Sequence, residues 1–155
     1  YSIEVPNIKN LIIYEEKQKI KFFDFLNEAG NKVNLKDFKS ELIILNFWAT
    51  WCAPCREEMP SLNNLQILND EKKIKIIPIN IGGENIGISK KFFDGLHIEE
   101  LQIFVGDGAE IAKNLKLRGL PTTLFIDKDG YEFARIVGSI DFNSDEFLNW
   151  LNELN

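Results

Sequence analysis

Cysteine is scarce in this 155-residue chain, limited to Cys52 and Cys55. Two cysteines exclude the several-bridge framework that small secreted folds use in place of a large core. Histidine is scarcer still. With His97 the sole imidazole, the soft ligands fall short of the four that a structural zinc site usually takes, so no metal site is expected. Basic residues are outnumbered, 18 against 24, for a net charge of -6. That balance lacks the basic face of a nucleic-acid binder. Long apolar runs are missing as well. The longest, over 42–49, is interrupted by Asn46 and is far short of the ~18 residues of a membrane span. The chain begins at Tyr1, and the expectation is that a signal or anchor segment preceded it.

What is present suits one folded domain over 1–155. Hydrophobic residues make up 45% and charged residues 27%, an ordinary globular balance. Twelve Phe and three Trp supply bulky core material. A chain of this length buries roughly 70% of its unfolded surface and needs no staple.

Residues 1–19 read as a partly irregular N-terminal arm, 1–10 having no clear period. Strand-like material over 11–25, a turn at 27–31 and continuation through Val33 and Leu35 predict a β-hairpin. From residue 41 strands and helices alternate. Strand 42–48 leads to helix 53–68, and strand 74–81 leads through Gly82-Gly83 to a helix near 86–95. A short strand over 101–105 and a short helix over 109–115 follow. Strand 122–126, a turn at 127–130 and strand 131–137 form a closing hairpin. A last helix runs from about 143 to 154, capped by Asn143 or Ser144, with Phe147, Leu151 and Leu154 on one face. The fold class is α/β. A right-handed βαβ crossover plus antiparallel closing strands gives a mixed sheet with helices on both faces.

The chemistry lies in Trp51-Cys52-Ala53-Pro54-Cys55, between an apolar strand and a helix. Cys52 falls at the helix N-terminus, where unpaired N–H groups and the helix dipole favour negative charge. Such a site lowers a thiol pKa from ~8.5 toward ~3.5–7.5. Cys55 lies at the third helical position, its side chain turned back within disulfide reach. Pro54 suits the first turn, where a missing N–H costs nothing. Cys52 is expected to be the exposed nucleophile and Cys55 the shielded resolving thiol. Pro60 should kink the helix, and Arg56, Glu57 and Glu58 read as a solvated face.

A second motif, Arg118-Gly119-Leu120-Pro121-Thr122-Thr123, completes the pattern. Together with Phe47-Trp48-Ala49-Thr50-Trp51-Cys52-Ala53-Pro54-Cys55 it resembles the thioredoxin superfamily, over roughly 20–155. Within it the chain is most similar to the TlpA/ResA-like periplasmic thiol–disulfide oxidoreductases. The resemblance implies a thioredoxin-like mixed sheet with an N-terminal β-hairpin and a cis Leu120–Pro121 bond beside the dithiol. It also implies that Trp51, Pro54, Leu120 and Pro121 meet an extended substrate segment by strand addition. Cytosolic thioredoxins carry a buried aspartate where this chain has Asn46. The TlpA/ResA-like branch often has a loop glutamate instead. Glu84 is the matching residue, expected near Cys55 with its pKa raised by burial and serving as proton acceptor.

The function implied is a protein-disulfide oxidoreductase with no cofactor. It would act as a monomer on disulfide-containing substrate proteins in cytochrome c or cytochrome oxidase copper-site biogenesis. A membrane thiol transporter would re-reduce it, and an N-terminal tether would hold it in the periplasm or an equivalent extracytoplasmic space. A disulfide-donating oxidant is the alternative; a Cu(I) chaperone is a weaker one, because His97 is poorly placed to join the thiolates. Peroxidase chemistry is set aside, since no proline–threonine–cysteine loop precedes Cys52. Asp127-x-Asp129-Gly130 is a hairpin turn and not a calcium loop, because Glu132 stands where such a loop needs glycine.

Overall fold

The computed structural model describes residues 7–154. In chain order the elements are β1 (Leu11–Lys19), β2 (Asp24–Asn27), β3 (Lys32–Asn34), a 3-10 turn (Leu35–Asp37), β4 (Leu42–Trp48), α1 (Ala53–Ile67), β5 (Ile74–Asn80), α2 (Ile86–Gly95), β6 (Phe104–Val105), α3 (Gly108–Leu115), β7 (Thr122–Asp127), β8 (Tyr131–Val137) and α4 (Asp145–Glu153). The strands form one mixed sheet in the order β1-β8-β7-β4-β5-β6-β2-β3.

Strand β4 is the axis of the molecule. It pairs parallel with β5 and antiparallel with β7, and every one of its side chains is buried. Its period of two divides the core into two layers. Leu42, Ile44 and Trp48 pack with α1, α2 and α4 through Met59, Leu62, Phe93, Phe147 and Trp150. Ile43, Leu45 and Phe47 pack on the other face with Ile111 and Leu115 of α3 and with Phe25 of β2. Asn46 falls on the α1 side of this alternation and is fully buried.

The alternating region agrees with the sequence expectations to within a few residues. The N-terminal region differs. β2 and β3 form the predicted hairpin, but it is short and joins the far edge of the sheet through β6. Residues 11–19 are not part of it. As β1 they pair antiparallel with β8 at the opposite edge, so much of the expected irregular arm is sheet. Period-two patterning marks a strand without naming its partner. Residues 1–6 of that arm lie outside the described residues. The expected strand over 101–105 is confined to Phe104–Val105. Ser144 caps α4; Phe147 and Leu151 are buried, whereas Leu154, the C-cap, is exposed.

Candidate active site

Cys52 is the N-cap of α1. Its backbone is extended, and its Sγ accepts the Cys55 N–H at 3.4 Å. Ala53 and Pro54 take the first two helical positions and Cys55 the third. Pro54 removes a donor that would have no partner there. One turn of helix thus brings the two sulfurs together, and they form a disulfide with Cα atoms 5.3 Å apart. The expected exposed Cys52 is corrected: it is only 7% exposed, against 0% for Cys55. The bonded sulfur belongs to the packed cluster that includes Trp48, Ala49 and Met59. Trp51 beside it is 64% exposed, and Pro54 is exposed.

The segment entering the dithiol is held from the side by the β5–α2 loop. The Glu84 carboxylate accepts the Thr50 N–H at 2.7 Å, the Thr50 hydroxyl, and Asn80 Nδ2 at 3.2 Å. Trp51 Nε1 donates to the Gly82 carbonyl at 3.0 Å, and Arg56 donates to the Thr50 carbonyl at 2.8 Å. Gly82 permits this approach, because a Cβ there would overlap that of Ala49 and stand 2.7 Å from Trp51 Nε1.

These contacts correct the expectation for Glu84. Partial burial pushes its pKa up, but the Thr50 and Asn80 hydrogen bonds outweigh that and hold it below the usual carboxylate range. It stays ionised as an acceptor for Thr50, and the raised pKa expected for it is not found.

The carboxyl with the raised pKa is Glu58, on α1 itself. It was expected on a solvated face, yet it is 2% exposed. Glu58 stands three residues after Cys55, the spacing of helical neighbours. Asn46 Nδ2 donates to its Oε1 at 2.9 Å and also to Thr123 Oγ1 at 3.0 Å. Burial drives the Glu58 pKa up to about 8, partly offset by Asn46 and the Ile140 backbone. Glu58 is therefore a neutral acid at pH 7. Sequence carried a signal for it: position 58 falls on the α1 face that buries Cys55, Met59, Leu62 and Leu65.

Pro121 is buried and the Leu120–Pro121 bond is cis. Leu120 is half-buried against the cluster that holds both cysteines, and Thr122 Oγ1 donates to the Gly119 carbonyl at 2.7 Å. No group of three or more His, Cys, Asp or Glu able to hold a metal occurs among the described residues, and His97 is exposed.

The family model described as AhpC/TSA matches residues 17–131. The chain belongs to the AhpC/TSA family. Among curated relatives, thiol-disulfide oxidoreductase ResA of Bacillus thuringiensis subsp. konkukian (strain 97-27) is 38% identical over 109 residues, which is 70% of this chain and 62% of the relative. The AhpC/TSA chain thus spans less than two thirds of that relative's length. Among solved structures, a secreted thiol-disulfide isomerase from Corynebacterium glutamicum superposes with a TM-score of 0.76 at 22% identity, covering 98% of this chain and 93% of that one. A DsbF homologue from Corynebacterium diphtheriae superposes with a TM-score of 0.74 at 23% identity, covering 99% and 97%. These superpositions establish a thioredoxin-like fold for this AhpC/TSA member.

Proposed function

We propose that this AhpC/TSA-family protein is a thiol–disulfide oxidoreductase that reduces disulfides of partner proteins outside the cytosol. The observation that carries the reading is the Cys52–Cys55 disulfide at the N-terminus of α1, with Cys52 as the cap. In the reduced protein the same N–H groups would stabilise a Cys52 thiolate. That thiolate attacks a substrate disulfide, forms a mixed disulfide and releases the first substrate thiolate. Cys55 then loses its proton and attacks Cys52 Sγ. The second substrate thiolate leaves, and the internal disulfide forms. Glu58, one helical turn from Cys55, takes that proton when it is itself ionised, a form that gains population as pH rises toward its pKa of about 8. In this reading Trp51, Pro54, Leu120 and Pro121 form the substrate shelf, where an extended segment adds to the backbone before Pro121.

The direction is reductive in this reading. Consistent with it, no helical subdomain interrupts the sheet among the described residues. The substrates are proteins of cytochrome c or oxidase copper-site assembly, and the electron donor is a membrane thiol transporter. The protein works as a monomer in the periplasm or its equivalent, held by an N-terminal tether. The ResA relative and the secreted Corynebacterium structure support this setting.

A redox titration of the Cys52–Cys55 couple against glutathione tests the reading. The expected midpoint lies near that of thioredoxin, about −270 mV. A midpoint near about −120 mV, that of a strong oxidant, would reverse the direction. A reduced Cys52 inert to alkylation at pH 7 would remove the activity altogether.

A further inference from the structure

Strand β1 does not follow β8 evenly. Ile13 pairs with Ala134 and Gln18 with Glu132, so residues 14–17 stand opposite Phe133 alone. A bulge of this kind bends its strand away from the ladder. Beside it, between β1, β8 and the C-terminal end of α3, lies a groove of about 610 Å³.

Its lining is chemically one-sided. Ile12 and Val137, both exposed, and buried Leu115 contribute apolar surface. The charged residues are Lys19, Lys21, Lys116, Arg118, Arg135 and a single acid, Glu132. Glu132 is already satisfied. Arg135 grips it through Nε at 2.8 Å and Nη2 at 3.0 Å, and Tyr14 OH donates to it at 2.5 Å. Arg135 is therefore neutralised within the groove. Lys19 donates to the Asp129 carbonyl and lies over the Phe22 and Tyr131 rings, so its ammonium is already engaged. Lys21, Lys116 and Arg118 are exposed and enter none of the ion pairs found among the described residues. A chain of net charge -6 thus gathers in one concavity three cations, Lys21, Lys116 and Arg118, without an ion pair among the described residues. Lys116 holds its place at some conformational cost: it caps α3 with φ 55°, where glycine or asparagine is usual.

The groove also reaches the segment that carries Pro121. Thr122, the residue after cis-Pro121, is one of its walls, and Arg118 begins the loop that carries Pro121. We infer that the groove docks an acidic, extended segment of the substrate polypeptide next to the cysteine presented at Pro121, an inference that rests on the protein-disulfide reading above. Apolar side chains of that segment would meet Ile12 and Val137, and its carboxylates the lysines and Arg118. A concave, partly apolar channel fits a chain segment better than a flat anionic membrane surface. Charge complementarity of this type raises encounter rates and selects partners.

The test uses reduced protein and synthetic peptides whose single cysteine is capped as a mixed disulfide with thionitrobenzoate. Attack by Cys52 on the peptide sulfur releases coloured thionitrobenzoate, and Cys55 then frees the peptide thiol. One peptide flanks the cysteine with Asp and Leu, a second with Asn and Leu, a third with Lys and Leu. At low salt the acidic peptide is expected to react about fivefold faster than the neutral one, and the basic peptide slowest. The spread should collapse in 0.5 M salt, a concentration chosen because the Debye length is only ~10 Å even at 0.1 M. The double variant Lys21→Glu/Lys116→Glu should invert the order, and Lys21→Gln/Lys116→Gln should flatten it. Equal rates for the three peptides, or an order that survives charge reversal, would overturn the docking inference. So would wild-type binding to phosphatidylglycerol vesicles that the charge reversal abolishes while peptide rates stay equal. No reaction with any peptide would instead overturn the proposed activity.

Discussion

Asn46 and Glu58 are joined inside the core, the amide of the central strand donating to the carboxyl of the dithiol helix at 2.9 Å. Among the described residues Asn46 Oδ1 and Glu58 Oε2 have no hydrogen-bond partner. A neutral carboxyl tolerates such a site far better than a buried anion. The pair thus places a protonated acid, one that titrates near neutrality, within a helical turn of the inner sulfur.

The linkage has a definite sign. Glu58 binds its proton more tightly folded (about 8) than unfolded (4.5). The oxidised protein should therefore lose stability as pH rises from about 4.5 toward 8, by at most about 1.4 kcal/mol per pH unit. Glu58→Gln should flatten that slope in urea melts at pH 5, 6, 7 and 8. It should also shift the pH profile of the second, Cys55-dependent exchange step.

The proposed roles of the two sulfurs, Cys52 attacking and Cys55 resolving, predict opposite outcomes for two variants. Cys55→Ser should accumulate mixed disulfides with substrate proteins through Cys52, resolved on non-reducing gels. Cys52→Ser should accumulate none. The reverse pattern would exchange the two assignments.

Glu84 predicts a different pH response. Its pKa is held low by the Thr50 contacts, so its contribution to stability is present above the ordinary carboxylate range and fades as pH falls through its folded value. Glu84→Ala strands the Thr50 N–H and should cost about 1–3 kcal/mol at pH 7. Less of that loss should remain in acid. Rates of Cys52 alkylation in the reduced variant should fall as well, because the segment entering α1 is no longer held.

Gly82→Ala tests the same contact from the other side. The added methyl meets Ala49 and the Trp51 indole, and overpacking of this sort costs about 1–3 kcal/mol. A lower melting temperature and altered Trp emission are expected, from loss of the Trp51–Gly82 hydrogen bond.

Much of this was legible in the sequence. The run 42–48 is apolar enough to specify a doubly buried strand, and the turn at 127–130 specified the closing hairpin. Cys52 and Cys55 were placed by helix geometry alone. Glu58 was not recognised, because charge type outweighed position: Arg56-Glu57-Glu58 looks solvated, although every third or fourth residue from Cys55 is buried. The low pKa of Glu84 was not legible, because sequence carries no record of Thr50 folding back onto it. β1 was misassigned because a strand's alternation contains no address for its partner, here more than a hundred residues away.

That distance has a consequence for how the molecule is made. Both outer borders of the sheet are built from the first 34 residues, β1 on one flank and the β2–β3 hairpin on the other. On a ribosome β1 emerges before the other strands of this sheet, and its mate β8 is the last of them to follow. The nascent chain must therefore carry an unmatched ribbon until β8 has been synthesised. The charges of Glu15, Glu16, Lys17 and Lys19 within β1 discourage that ribbon from pairing with a neighbouring chain in the interval.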